Sequence, residues 1–307
     1  MVFNRIFQYI LFISAIFINL IIVPSTIAQQ GESEHSNPFW WVSTFYYHVG
    51  MREIQENRYE EALHVADIAI FLSPDFIESY YLRAYIYKQM GNYEFALADY
   101  NQILEINPEA MLAYFGIGST YLDMDQYDLA ITNFDEALKL DLQFAQTYGH
   151  RGLAYMNQGR YEDAIADFNQ AIKLGLHIEQ IYFNLGNSYA NLGEHLTAIE
   201  NYLLAIQINP NYANAFAGIG DSALALDQTE IALNAYNESI RIDPLIARSY
   251  FMRGQIYSRW YLETEEIYFG EIALADWRMA QSLGIQIPEE LHAILNHLEA
   301  RFGTPDQ

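Results

Sequence analysis

The sequence predicts an all-α fold, an α-solenoid, and three observations predict it. Seven small residues recur every 34 positions: Gly50, Ala84, Gly118, Gly152, Gly186, Gly220 and Gly254. A second file, Ala62, Ala96, Ala130, Ala164, Ala198 and Ala232, keeps the same period. Around both files apolar residues return at helical spacing, so each period reads as two amphipathic helices. A fixed period of this length is one helix-turn-helix unit stacked repeatedly, each copy burying its apolar face on the next.

The units run 43–76, 77–110, 111–144, 145–178, 179–212 and 213–246 with no insertion or deletion. In the fourth, the first helix is AQTYGHRGLAYMNQG and the second is YEDAIADFNQAIKL. Gly159 closes the first helix, where a residue free to take positive φ is wanted. Glu162 and Asp163 open the second, on the favourable side of its dipole. Position 8 of the unit and position 20 mark the closest crossing of the two helices, which only small side chains permit. Position 24 is large, as Tyr100, Phe134, Phe168, Tyr202 and Tyr236, and fills the space they leave. Pro74, Pro108, Pro210 and Pro244 stop the second helix at position 32.

A seventh unit, 247–287, breaks the period. The position-20 alanine is displaced from Glu266 to Ala273, so seven residues are inserted near WYLETEEIYFG. They are either extra helical turns or a loop with a role of its own. Pro288, Glu289 and Glu290 then start a capping helix, 288–302, over the last apolar face, and 303–307 is a tail.

The N-terminus carries Arg5, then the apolar run IFQYILFISAIFINLIIV, then Ala28 before polar Gln29 and Gln30. Residues 1–28 therefore read as a secretory signal peptide cleaved after Ala28. The alternative is an uncleaved membrane anchor formed by residues 6–23, at the short end of what spans a bilayer. Either way the remainder is exported, to a cell envelope, periplasm or exterior. Residues 29–42 read as a polar linker and N-terminal cap, with Phe39, Trp40 and Trp41 folded over the first unit.

Hydrophobic residues make up 52% of the 307, ample for a continuous core. Acidic residues outnumber basic ones 39 to 15, for a net charge of -24. Such a surface repels phosphate backbones, so nucleic acid is excluded as a partner. No Lys or Arg falls between Lys173 and Arg241, where any preference for a basic partner is strongest. The absence of cysteine removes disulfides, thiolate metal sites and thiol nucleophiles. None of the eight histidines has zinc-helix spacing, and no hydrolase, P-loop or dinucleotide motif occurs. No cofactor, metal site or catalysis is expected.

One pair of positions switches together. Position 7 is Val49, Ile117, Leu185 and Ile219 in four units but Arg83, Arg151 and Arg253 in three. Position 23 is Asp99, Asp167 and Asp276 in those same three and never acidic elsewhere. A partly buried Arg needs a partner, which predicts the ion pairs Arg83–Asp99, Arg151–Asp167 and Arg253–Asp276.

Tyr80, Tyr114, Tyr148, Tyr182, Phe216 and Tyr250 at position 4 complete a pattern with positions 8, 20, 24 and 32. It resembles the tetratricopeptide repeat, over residues 43–287, as about seven helix-turn-helix repeats. The resemblance implies a concave face lined by repeat positions 2, 5, 9, 12 and 13, where peptides or proteins bind. From it, Tyr47, Tyr81, Tyr85, Phe115, Phe183, Asn187, Asp221 and Phe251 are the candidate groove residues. It implies a non-catalytic scaffold or adaptor with a protein or peptide partner; the N-terminal segment places it outside the cytoplasm, with a membrane only if that segment is retained. The alternatives are a membrane-anchored envelope assembly factor and a carrier of small ligands such as sugars on aromatic platforms. The family's carboxylate clamp is not expected. Its best register offers Phe183, Asn187, Gly218, Arg248 and Met252, of which only Asn187 and the charge of Arg248 match.

Overall fold

A computed structural model describes residues 39–303. The signal or anchor segment, the polar linker up to residue 38 and the last four residues lie outside them. The chain divides into two compact units, one ending at Ala113 and the other beginning at Tyr114. The first holds α1 (Trp40–Gln55), α2 (Tyr59–Leu72), α3 (Ile77–Gln89) and α4 (Tyr93–Ile106). Helix α5 (Met111–Asp123) straddles the division. The second unit continues with α6 (Tyr127–Leu140), α7 (Ala145–Asn157), α8 (Tyr161–Lys173), α9 (Glu179–Asn191) and α10 (His195–Ile208). Then come α11 (Ala213–Ala225), α12 (Thr229–Ile242), α13 (Ala247–Thr264), α14 (Ile267–Ser282), a 3-10 turn (Glu289–Leu291) and α15 (His292–Phe302). The described residues contain no strand, and the fold is the α-solenoid of helix pairs that the period predicts.

Each pair is made by one tight reversal. Gly159 takes φ 75° just past α7. Its N–H donates to Met156 O, and the Arg160 N–H reaches back to Tyr155 O, both at 2.9 Å. These bonds satisfy carbonyls that the helix end would leave bare, and they fold α8 back along α7. The crossing is as close as the small files require. A Cβ on Gly152 would stand 2.9 Å from the Phe168 ring, and one on Gly118 would stand 2.7 Å from Phe134. Ala130, Ala164, Ala198 and Ala232 are completely buried.

The three expected ion pairs form. Arg83 gives Nε and Nη2 to Asp99 at 2.9 and 2.6 Å, and Arg253 gives the same atoms to Asp276 at 2.8 and 2.7 Å. Arg151 does likewise with Asp167. Each arginine also gives Nη1 to a residue of the preceding repeat: Arg83 to Asp67, Arg151 to Asp135 and Arg253 to Asn237. Each guanidinium stacks over the position-4 tyrosine of its own repeat, with 5.5–5.8 Å to the centroids of Tyr148, Tyr250 and Tyr80. The third leg was not visible in the position-7 and position-23 pattern, because it reaches a residue of the neighbouring repeat.

The inserted residues are helical. Helix α13 has 18 residues where α11 has 13. Helix α14 begins six residues ahead of Ala273, where α8 begins three ahead of Ala164. Trp277 takes the place of the position-24 ring and is wholly buried against Gly254. Leu295 and Leu298 of α15 close over Tyr261, Leu274 and Trp277, covering the end of the stack. At the other end, helix α1 already begins at Trp40, so the aromatics expected to fold over the first repeat are part of its first turn. Phe39 and Trp41 point outward and stay exposed.

Candidate functional site

The position-5 aromatics are rungs packed between helices. The Tyr81, Phe115 and Phe183 rings lie 6.3, 5.9 and 5.7 Å from the position-24 rings of Tyr100, Phe134 and Tyr202. Phe115 and Phe183 also meet Phe144 and Tyr212 edge-on, both at 5.3 Å. Tyr47 meets Phe76 in the same way. Edge-to-face contacts of this kind stabilise by about 0.5–1.5 kcal/mol beyond burial. Burial pushes the Tyr81 hydroxyl up to about 12. Tyr85 is exposed, and Phe251 is half-buried with its carbonyl accepting the Trp277 indole N–H at 3.2 Å.

The ladder lacks two rungs. In the fourth repeat Gly149 stands there, with Ile181 and Leu176 packed against it, and in the sixth the rung is replaced by Ala217, followed by Gly218. A cavity of about 480 Å³ opens there between α9, α11 and α13. Phe183, Asn187 and Asp221 line it, so the structure gathers three of the eight candidate residues. Tyr47, Tyr81 and Tyr85 belong to the first unit, and Phe115 and Phe251 do not line the cavity.

The cleft is polar and its groups are held in place. The Tyr202 hydroxyl donates to Asn187 Oδ1 at 2.8 Å, which fixes the side-chain amide and leaves its N–H groups for a ligand. The Tyr236 hydroxyl donates to Asp221 Oδ1 at 2.7 Å, and Arg248 Nε donates to Asp221 Oδ2 at 2.6 Å. Burial, with the charge and the hydrogen bond of Asp221, holds the Tyr236 hydroxyl far above the ordinary tyrosine range. The carboxylate and guanidinium offset one another, so the lining as a whole is neutral. Ser222 is 1% exposed, its Oγ has no hydrogen-bond partner, and it faces the cavity. The Nδ1 atom of His195, at the rim, is also buried without a partner. Unsatisfied buried polar atoms are uncommon, and of the five among the described residues these two lie at the cleft, while Ser73, Ser79 and Thr147 lie elsewhere.

Positions 5 and 9 did not reveal the whole lining. Asn214 and Arg248 come from position 2, Asn191 from position 13 and Ser222 from position 10. The signal that would have found the cleft is two small residues in a row, Ala217 and Gly218; Gly149 also breaks the aromatic file, but the His150 ring beside it packs on Phe115 and Phe134. Among the described residues no group of His, Cys, Asp and Glu is placed to hold a metal ion. Nor is any described helix long and apolar enough to cross a membrane.

No curated protein matches the sequence. Among solved structures, the C-terminal part of a TPR repeat-containing protein from Cytophaga hutchinsonii is similar at TM-score 0.61 and 18% identity. That match covers 81% of this chain and 99% of that one. PilW, a type IV pilus biogenesis factor, is similar at TM-score 0.62 and 17% identity, over 66% and 94%. YrrB, a TPR protein with an unusual peptide-binding site, is similar at TM-score 0.50 and 21% identity, over 66% and 97%. At these identities the likeness is one of fold. Sequence profiles of the tetratricopeptide repeat match residues 51–115, 145–174 and 179–212, and that of the TPR repeat matches 118–159. These matches, on a stack of helix pairs with small residues at every crossing, make the chain a member of the tetratricopeptide repeat family.

Proposed function

We propose that this protein is a non-catalytic scaffold that holds an extended segment of a partner protein in the cleft between α9, α11 and α13. Tetratricopeptide repeat proteins are generally protein-interaction scaffolds, and YrrB, a fold neighbour, has a peptide-binding site by its description. The observation that carries the reading is the missing rung at Ala217. It opens a cavity beside Phe183 and exposes fixed donors and acceptors on Asn187, Asp221 and Arg248. A pre-formed site of this kind loses little entropy on binding. The partner's backbone amides would meet Asn187 and Ser222, and an apolar side chain would enter beside Phe183. The remaining position-5 aromatics stiffen the stack and offer edges to the bound segment.

The scaffold acts outside the cytoplasm, delivered by residues 1–28. N-terminal sequencing of the exported protein tests the delivery, with a start at Gln29 expected. The binding reading is tested by Ala217→Phe in the full chain, screened on a random peptide array beside the wild type. Phe at position 5 is native to other repeats, so the fold accepts it while the cleft is filled. Peptides selected by the wild type should lose at least tenfold in affinity, about 1.4 kcal/mol. Equal affinity for the same peptides would remove the cleft from the function. A glycan array run in parallel decides against a sugar carrier if it stays blank.

A further inference from the structure

The cleft leaves the extended seventh repeat without a role. Five extra residues at the end of α13 add about 7.5 Å to that helix, so the α13–α14 hairpin reaches past its neighbour. Its apex presents Leu262, Ile267 and Tyr268, which are 54, 54 and 63% exposed. Other repeats expose a single apolar residue early in the second helix, as Phe95, Leu129, Leu196 and Ile231, whereas this apex gathers three.

The apex is built rigidly. Glu265 takes φ 58° to make the reversal. The Thr264 hydroxyl donates to Trp260 O at 2.7 Å. Beneath it the Tyr257, Trp260 and Phe269 rings interlock, with centroids 5.4–6.0 Å apart. The three apolar side chains therefore stand on a fixed aromatic base and lose little freedom when covered.

Charge selects what covers them. Glu263, Glu265, Glu266 and Glu271 are all exposed around the apex, against two bases, Arg259 and, on α15, Arg301, which donates to the Tyr261 hydroxyl. A second copy of this chain would bring the same glutamates face to face. An anionic lipid surface would be repelled by them. A cationic protein segment carrying apolar side chains meets both features at once. We propose that the α13–α14 apex is a second docking surface, separate from the cleft, for a basic, apolar-bearing segment of a partner protein.

The test uses a fluorescent 16-residue peptide of leucine and lysine at helical amphipathic spacing, and a control peptide with serine for leucine. Anisotropy titrations with the full chain are run at low and at physiological salt. The wild type should bind the Leu/Lys peptide and not the control, and more weakly as salt rises. The variant Leu262→Ser, Ile267→Ser, Tyr268→Ser should lose about tenfold or more with its melting temperature unchanged, because these side chains lie outside the core. Glu263→Gln with Glu265→Gln and Glu266→Gln should also weaken binding and flatten its salt dependence. Ala217→Phe should leave it alone, which separates this surface from the cleft. Wild-type affinity in both apex variants would overturn the proposal. So would loss of binding in Ala217→Phe, or binding of the apex to phosphatidylserine vesicles or to a second copy in sedimentation.

Discussion

Arg151 gives the Asp167 carboxylate two hydrogen bonds, from Nε to one oxygen and from Nη2 to the other, both 2.7 Å long. The pair joins the two helices of one repeat at a site where Asp167 is 6% exposed. Burial pushes the Asp167 carboxyl up from its ordinary range, and the Arg151 hydrogen bonds and charge only partly pull it back. The sign matters. A carboxyl raised in the folded state contributes stability below its unfolded pKa, and that stability is lost as pH rises through the folded value. The same hydrogen bonds hold the Arg151 guanidinium up against its own burial, so attraction and desolvation oppose one another in the ionised pair at neutral pH. Removing the carboxylate alone, Asp167→Ala, would leave Arg151 half-satisfied and should cost about 3 kcal/mol. Replacing both, as Arg151→Met with Asp167→Leu, should be near neutral or stabilising by about 1 kcal/mol or more. Urea denaturation of both variants decides. A double variant as unstable as the single one would show that the pair itself stabilises.

The third leg of each arginine is a weaker matter. Arg151 and Arg83 reach a carboxylate of the preceding repeat, whereas Arg253 reaches the amide of Asn237 at 2.6 Å. Asp135 is 45% exposed on its side chain, so solvent screens that contact. Asn237→Asp should therefore stabilise by no more than about 1 kcal/mol, with the gain shrinking in salt. A thermal melt at two ionic strengths checks it, and a gain indifferent to salt would contradict the screened geometry.

Most of the stack was legible in the chain, because one physical demand is written into it many times. Gly118, Gly152, Gly186 and Gly220 all face a ring at position 24, and a single unit would have shown only one glycine near one aromatic. Arg151 and Asp167 were legible for the same reason, as two positions that change together. What failed to show was anything that occurs once. The cleft depends on Ala217 being small where five of its six counterparts are aromatic, and on Ser222 being buried with no partner. Neither property belongs to a residue type. Tyr81 and Phe115 were expected as groove anchors, but their rings are largely spent on Tyr100 and Phe134, a distinction that only geometry makes.

The tightness of the crossing can be measured directly. An added Cβ at Gly152 meets two Phe168 carbons at 2.9 and 3.0 Å and the Ala164 carbonyl at 3.3 Å. Phe168 is wholly buried and has nowhere to move. Gly152→Leu should cost at least about 1–3 kcal/mol by overpacking. Circular dichroism melts test this. An unchanged melting temperature would mean the helices separate more freely than the contacts imply.

The reversals offer the opposite kind of change. Asp227 takes φ 59° at the position Gly159 occupies in its own repeat. A left-handed conformation costs an ordinary residue roughly 1–2 kcal/mol, and glycine avoids it. Asp227→Gly should stabilise by about 0.5–1 kcal/mol after the entropy of glycine is counted, and Gly159→Ala should lose about 1 kcal/mol. Chemical denaturation of the two variants should move in opposite directions. If both move the same way, local helix-end effects outweigh the dihedral.

Alkali should expose the buried tyrosines. Burial raises Tyr81 to about 12, and it holds Tyr202 and Tyr236 higher still, with the Asp221 charge adding to both. The ordinary value is 10.0. Below it both the folded and unfolded chains keep their phenol protons, and stability does not depend on these groups. Above it the unfolded chain gives up protons that the folded chain retains. Stability should therefore fall as pH rises past 10, by up to about 1.4 kcal/mol per pH unit for each such tyrosine. Absorbance at 295 nm should show the exposed tyrosines titrating first and the buried set only as helicity collapses. Tyr236→Phe removes one of these protons. It leaves Asp221 Oδ1 without the phenol at 2.7 Å, so it should cost about 1 kcal/mol at neutral pH. Above pH 10 its stability should then decline less steeply than that of the wild type. Parallel declines in the two proteins would mean that Tyr236 ionises in the folded state, and that its hydroxyl is more open to water than its burial indicates.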